Sequence, residues 1–336
     1  MRGREPLWAK FAWLVLSRVL FYGGLLFAVW WWMLWMPGPR GRPRSRPPTA
    51  SEIDLAHQLR ADVEVLAGVI GERNVLYKPW QLEKAAAFIE TSLAGAGYAV
   101  RSQAYRATET PCRNIAAEIR GSSRPLEIVV VGAHYDTVPG SPGADDNASG
   151  VAAVLALARH FAGSHPSRTV RFVAFVNEEP PYFWTREMGS LVYAKDCRRR
   201  GERIEAMVSM ESVGYFGASQ HYPLPLLGLF PSTGDFVAFV GNVGSGDLVR
   251  RAVAEFRRSG ALPSQGAALP NAIPGVGWSD HWSFWQQGYS GIEVTDTAPF
   301  RNPHYHTGQD TPDKLDYERL ARLTGGMYRV LAELAR

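Results

Sequence analysis

Apolar and polar positions alternate along this chain in three different rhythms. From Val19 to Met36 the run "VLFYGGLLFAVWWWMLWM" holds no charge, and extending it back through "FAWLVLS" reaches the length of a bilayer core. The cluster Trp30, Trp31, Trp32 and Trp35 fits an interfacial aromatic belt, and "MPGPRGRPRSRPP" then follows, which cannot continue a helix. After it, apolar residues recur at helical spacing over 52–69, with Ser51 as the expected N-cap, and over 80–98, ending at Gly97. Beyond residue 110 short apolar runs at 114–119, 126–133, 169–176, 206–212, 235–241 and 291–297 alternate with helical stretches at 150–163, 190–200 and 246–260 and a closing helix from Lys314. This rhythm predicts an α/β fold, a mostly parallel central sheet with helices on both faces, preceded by one N-terminal transmembrane helix. The expected division is a membrane anchor over 1–37, a Pro/Arg-rich linker over 38–50 and one catalytic-sized domain over 51–336.

Composition changes this picture in few places. A chain of 336 residues that is 46% hydrophobic can bury one large core, which excludes disordered and fibrous classes. The net charge of +4 suggests nucleic acid until it is located. Arg2, Arg4, Lys10, Arg18, Arg40, Arg42, Arg44 and Arg46 face only Glu5 in the first 46 residues, so the remainder is net acidic and no nucleic-acid partner is expected. No small-x-small site follows the apolar run, so the anchor is read as uncleaved. Basic residues flank the span on both sides, and the reading adopted places the domain on the periplasmic or extracellular side. Cys112 and Cys197 leave a disulfide open.

The candidate chemistry gathers where strands end. "LEIVVVGAHYD" closes on His134 and Asp136, "VRFVAFVNEE" on Glu178 and Glu179, and "AMVSMES" on Glu211. In parallel α/β sheets the carboxyl ends of strands carry the site. A further segment, "RNPHYHTGQDTPDKLDY", brings His304 and His306 just before the closing helix. Solvated surface acids do not gather at strand ends, and buried ones cost free energy unless cations or donors compensate. A calcium loop draws oxygen ligands mainly from one short segment. Imidazole and carboxylate spread over several loops suit zinc or a related transition metal.

"HYD", "GADDNASG", "NEE", "MES", "SDH" and "NPHYHTGQDTPDKLD" together resemble the co-catalytic zinc aminopeptidase family, which includes bacterial leucyl aminopeptidase and aminopeptidases S and Y, with glutamate carboxypeptidase and glutaminyl cyclase as relatives. The likeness runs over roughly residues 52–336, in the family's order along the chain. It implies a zinc exopeptidase fold, two zinc ions and peptide substrates. His134, Asp146 and Glu211 would bind one ion and Glu179 and His306 the other, with Asp146 bridging. The family generally carries Asp where Glu211 stands, which puts metal spacing and preference in question. Glu178 would be the general base.

Asp136 is expected to accept from the His134 imidazole and fix its tautomer. Tyr305 has two readings, donor to a developing oxyanion or packing residue. Asp280 is read as a supporting or turn residue, Asp145 as a loop residue or one that supports the ligands without binding metal, and His304 as structural. The aromatic segments 180–190 and 215–235 are expected to line the cleft, with Phe183, Trp184 and Phe216 shaping specificity. Three functions stay in play: a membrane-anchored zinc aminopeptidase, a glutaminyl-cyclase-type acyl transferase and an inactive receptor on the same fold.

Overall fold

The computed structural model describes residues 6–39 and 46–336, in two units that divide between Trp35 and Met36. Arg2, Arg4 and the arginines at 40, 42 and 44 lie outside the described residues. The first unit is a single helix, α1 (Leu7–Leu34), with no buried residue. Its 28 residues, with an 18-residue stretch of mean hydropathy 1.8, make it long and apolar enough to cross a membrane. It begins well before Val19, because Lys10 and Arg18 are good helix formers and nothing in 7–18 breaks the helix.

In the second unit α2 (Ala50–Val63) starts two residues earlier than expected. Thr49, not Ser51, is the N-cap: its side chain accepts from Glu52 N while the Glu52 carboxylate accepts from Thr49 N. The single helix expected over 52–69 changes to a wider turn at Glu64–Ile70. The helix α3 (Pro79–Gly95) follows, with proline at its first position and Gly97 at φ 90° beyond its end.

The strands are β1 (Arg101–Ala107), β2 (Thr110–Ile119), β3 (Arg124–His134), β4 (Arg168–Phe175), β5 (Arg203–Glu211), β6 (Val237–Asn242), β7 (Ser264–Leu269) and β8 (Gly291–Thr295). They form one sheet in the order β1-β2-β4-β3-β5-β8-β6-β7. The four central strands β4, β3, β5 and β8 are parallel; β1, β2 and β6 join antiparallel, and β7 runs parallel to β6. The helices between and after them are α4 (Gly150–Phe161), α5 (Gly189–Arg199), α6 (Gly246–Ser259), α7 (His281–Trp285), α8 (Ala298–Arg301) and α9 (Tyr317–Leu334).

Strand alternation builds the two layers. Val129, Val131 and Ala133 of β3 and Val170 and Phe172 of β4 pack with α2, α3, α4, α6 and α9, whereas Ile128, Val130, Val173 and Phe175 meet Tyr193, Ala194 and Cys197 of α5 and Phe284 of α7. Cys112 and Cys197 are therefore free and buried on different layers, so the disulfide left open by the sequence does not form. From β3 the chain crosses by α4 to β4 on one side, and from β4 by α5 to β5 on the other. This reversal opens a crevice beyond His134, the last residue of β3.

Candidate metal centre

Each strand around the crevice delivers its polar group just past its last core residue. His134 ends β3, Glu178 and Glu179 follow β4, and Glu211 ends β5. The chain then turns sharply, and Asn177, Ser212 and His306 all take left-handed backbone, with φ of 59°, 46° and 59°. Non-glycine residues adopt that region at a cost, so the surrounding contacts enforce these turns.

The Asp146 carboxylate lies at the middle. Its Oδ1 is 3.2 Å from His134 Nε2 and its Oδ2 is 3.0 Å from His306 Nε2. Glu211 approaches His134 Nε2 at 3.3 Å, and Glu179 approaches His306 Nε2 at 3.3 Å. Glu178 stands 3.9 Å from His134 Nε2. Ligand atoms of His134, Asp146 and Glu179 all lie within 4.8 Å of one another. The five side chains expected as ligands, together with Glu178, are thus brought to one place. Tyr305 stacks on the His306 ring with centroids 3.8 Å apart. His304 is turned away, against Tyr215.

Asp136 does more than its sequence position suggested. His134 Nδ1 is 3.2 Å from the Asp136 carbonyl oxygen, and its carboxylate is farther, at 3.6 Å. That carboxylate instead accepts from the backbone N–H of Glu178 at 3.1 Å and of Glu179 at 3.2 Å, gripping the glutamate pair. Asp145 faces away from the centre and accepts from Gly214 N and Asn302 Nδ2. Asp280 is fully buried, and burial pushes its carboxyl up to about 7.

Two positioning residues went unread in the sequence. Asp310 accepts from the N–H groups of Asp145 and Asp146, holding the loop that presents Asp146. Arg73 is fully buried and donates to the carbonyls of Leu66, Gly71, Tyr135, Pro142 and Gly143, tying the loops after β3 together. Asp310 stands inside a quoted motif, but a side chain that holds backbone leaves no mark in residue spacing. Arg73 contacts segments more than sixty residues away, which no local pattern records.

The electrostatics call for a cation. Burial and the neighbouring Glu179, Glu211 and Asp280 push the Glu178 carboxyl well above its usual range, against the pull of His134. Burial and Asp146 push Glu179 up to about 8. Burial would raise Asp146 too, but hydrogen bonds from His134 and His306 hold it below the usual range. Burial would lower His306, yet the same contacts to Asp146 and Glu179 lift it to about 10. Glu179 Oε1 is buried with no hydrogen-bond partner, and His306 Nε2, buried as well, meets only the carboxylates of Asp146 and Glu179. Buried polar atoms are rarely left unpaired, and a divalent cation satisfies them directly. Mixed nitrogen and carboxylate donors fit zinc.

A switch-point crevice holding buried imidazoles and carboxylates defines a metal-dependent hydrolase of α/β architecture. The chain belongs to peptidase family M28, whose model matches residues 114–331. It is 37% identical over 262 residues, 74% of this chain and 80% of the other, to the uncharacterised protein YfbL of Escherichia coli K12. A probable leucine aminopeptidase of Trichophyton verrucosum is 28% identical over 223 residues, covering 62% of this chain and 53% of that protein, so the chain spans about half its length. Among solved structures, the zinc aminopeptidase BSAP of Bacillus subtilis superimposes with a TM-score of 0.68 at 16% identity, covering 87% of this chain and 97% of that one. The protein is accordingly a metallopeptidase that acts on peptides.

Proposed function

We propose that this protein is a membrane-anchored aminopeptidase that removes the N-terminal residue of peptides at a two-zinc centre. The observation that carries the reading is the Asp146 carboxylate, with one oxygen toward His134 and the other toward His306. In this arrangement His134, Asp146 and Glu211 would hold one ion, and Glu179 and His306, with Asp146, would hold the second. Zinc bound there supplies Lewis acidity to the scissile carbonyl and to water.

The chain's own groups do the rest. Glu178, with its carboxyl raised by burial, takes a proton from the attacking water and returns it to the leaving amine nitrogen. Asp136 fixes the backbone from which Glu178 projects. Tyr305 lies beside His306, where its hydroxyl can serve the carbonyl oxygen. The helix α1 holds the enzyme in the membrane, with the catalytic domain on the periplasmic or extracellular side.

The test compares full-length wild type with Glu178→Gln for zinc per chain and for products from a peptide library. About two zincs in both, with residues released from the amino end by wild type alone, supports the reading. Release from the carboxyl end, or cyclised glutaminyl peptides, overturns it.

A further inference from the structure

The sheet face against which α5 and α7 pack carries a second feature. On β8, Ile292 and Val294 point into the helix-covered core, so Glu293 and Thr295 face the opposite side. There a cavity of about 90 Å³ lies between strands β6, β7 and β8 and the loops that cover them, and Glu293 and Thr295 line it. Glu211 and Tyr305 line it as well, so it adjoins the metal centre. Its size is below that of whole-ligand pockets, roughly 300–1,000 Å³, and suits one side chain.

The walls are aromatic: Tyr222, Phe230, Phe236, Trp278 and Phe300. Phe183, Trp184 and Phe216, expected to shape specificity, are not among the lining residues; Trp184 donates to Gly277 O, and Phe216 lies under Arg319. An aliphatic substrate needs nothing more than such walls. Glu293 is out of keeping with them. It is 5% exposed, and its Oε2 has no hydrogen-bond partner.

The nearest ring nitrogen, His281 Nε2, is 3.9 Å away and is spent on Val276 O at 2.9 Å. Burial pushes His281 down to about 4, so it is neutral and supplies no charge. No lysine or arginine lines the cavity among the described residues. A carboxylate placed this way costs free energy until a cation reaches it. The stacked faces of Trp278 and Phe300, 6.1 Å apart and 19° from parallel, offer π surface of the kind that guanidinium and ammonium groups favour.

We propose that this cavity receives the side chain of the substrate's N-terminal residue and that Glu293 selects a cationic one, of arginine or lysine type. The assignment rests on the aminopeptidase reading for its orientation. An arginine stem fills the aromatic part of the cavity while its head pairs with Glu293.

The experiment uses the full-length, zinc-loaded protein in detergent, with fluorogenic amides of arginine, lysine, leucine and phenylalanine. The arginine and lysine substrates should exceed leucine in kcat/KM by about tenfold or more. Glu293→Gln should lower kcat/KM for arginine about 100-fold and leave leucine within a few-fold. Glu293→Met, which preserves volume, should raise leucine and guards against a packing artefact.

Calorimetric titration with free L-arginine and L-leucine reads the cavity without turnover: arginine should bind more tightly to wild type, and Glu293→Gln should erase the difference. Arginine favoured in the titration with no amide hydrolysed supports the cavity while overturning the aminopeptidase reading. Amides hydrolysed with leucine preferred, or with Glu293→Gln depressing all substrates equally, overturns the cavity alone. Arginine bound no better than leucine, including no binding of either, overturns it too.

Discussion

Asp136 shows how one side chain organises two others. Its two oxygens take the N–H groups of Glu178 and Glu179, and its carbonyl oxygen lies against His134. Replacing it by asparagine keeps one acceptor and turns an amide N–H₂ toward a backbone N–H, so one of the two contacts becomes donor against donor. Asp136→Asn should therefore lower kcat about 10- to 100-fold, with KM for a peptide substrate and zinc content near wild type. A loss of zinc in parallel with activity would mean that Asp136 serves the metal site as a whole. The glutamates and His134 were legible in the sequence because a strand's last residue announces itself by an abrupt change from apolar to polar. Arg73 and Glu293 were not. Arg73 acts on distant backbone, and Glu293 sits inside "GIEVTDT", where an acid among alternating apolar residues reads as an ordinary solvent-facing position.

At the level of elements, α4 packs closely against β5 through a glycine. A Cβ on Gly150 would lie 2.2 Å from Asn147 Oδ1 and 2.4 Å from Met210 O. Asn147 in turn donates to Met210 O and accepts from Gly150 N and Ser212 N, so the helix start, the Asp146 loop and the end of β5 share one junction. Gly150→Ala, favourable for helix propensity alone, should destabilise the protein by about 1–3 kcal/mol through this clash. Denaturant unfolding measures the stability, and zinc titration should show weaker binding, because Asp146 and Glu211 flank the junction. An unchanged midpoint and affinity would show that the junction relaxes freely. Expected elements with strong periodicity appear close to where the sequence placed them, such as α4, β3 and β4. The strand β7, "SQGAAL", was missed because glutamine, glycine and alanine are poor strand formers; it is held by pairing with β6 along its whole length. The sheet order was also beyond reach, since which side each crossover takes is decided by packing between elements far apart in the chain.

At the scale of the whole molecule, the chain divides between Trp35 and Met36 into an apolar helix and the body that carries the site. Pattern alone placed the boundary after residue 37. Met36 is 3% exposed and packs within the second unit, where Gly266 leaves room for its side chain, and Arg257 donates to the carbonyls of Met36 and Pro37. The residues just after α1 thus belong to the catalytic body, although "MPGPRGRPRSRPP" reads as linker throughout. Burying a methionine side chain contributes about 1.5–3 kcal/mol. A chain beginning at Met36 should then be soluble without detergent and keep the full-length kcat/KM within about twofold, since every group placed in the centre lies within it. A chain beginning at Arg46 keeps the Thr49 cap but loses Met36, and its melting temperature should fall by about 2–6 °C relative to the Met36 form. Equal melting temperatures would place Met36 with the linker. A Met36 form that needs detergent to stay in solution would show that the membrane contact extends beyond α1.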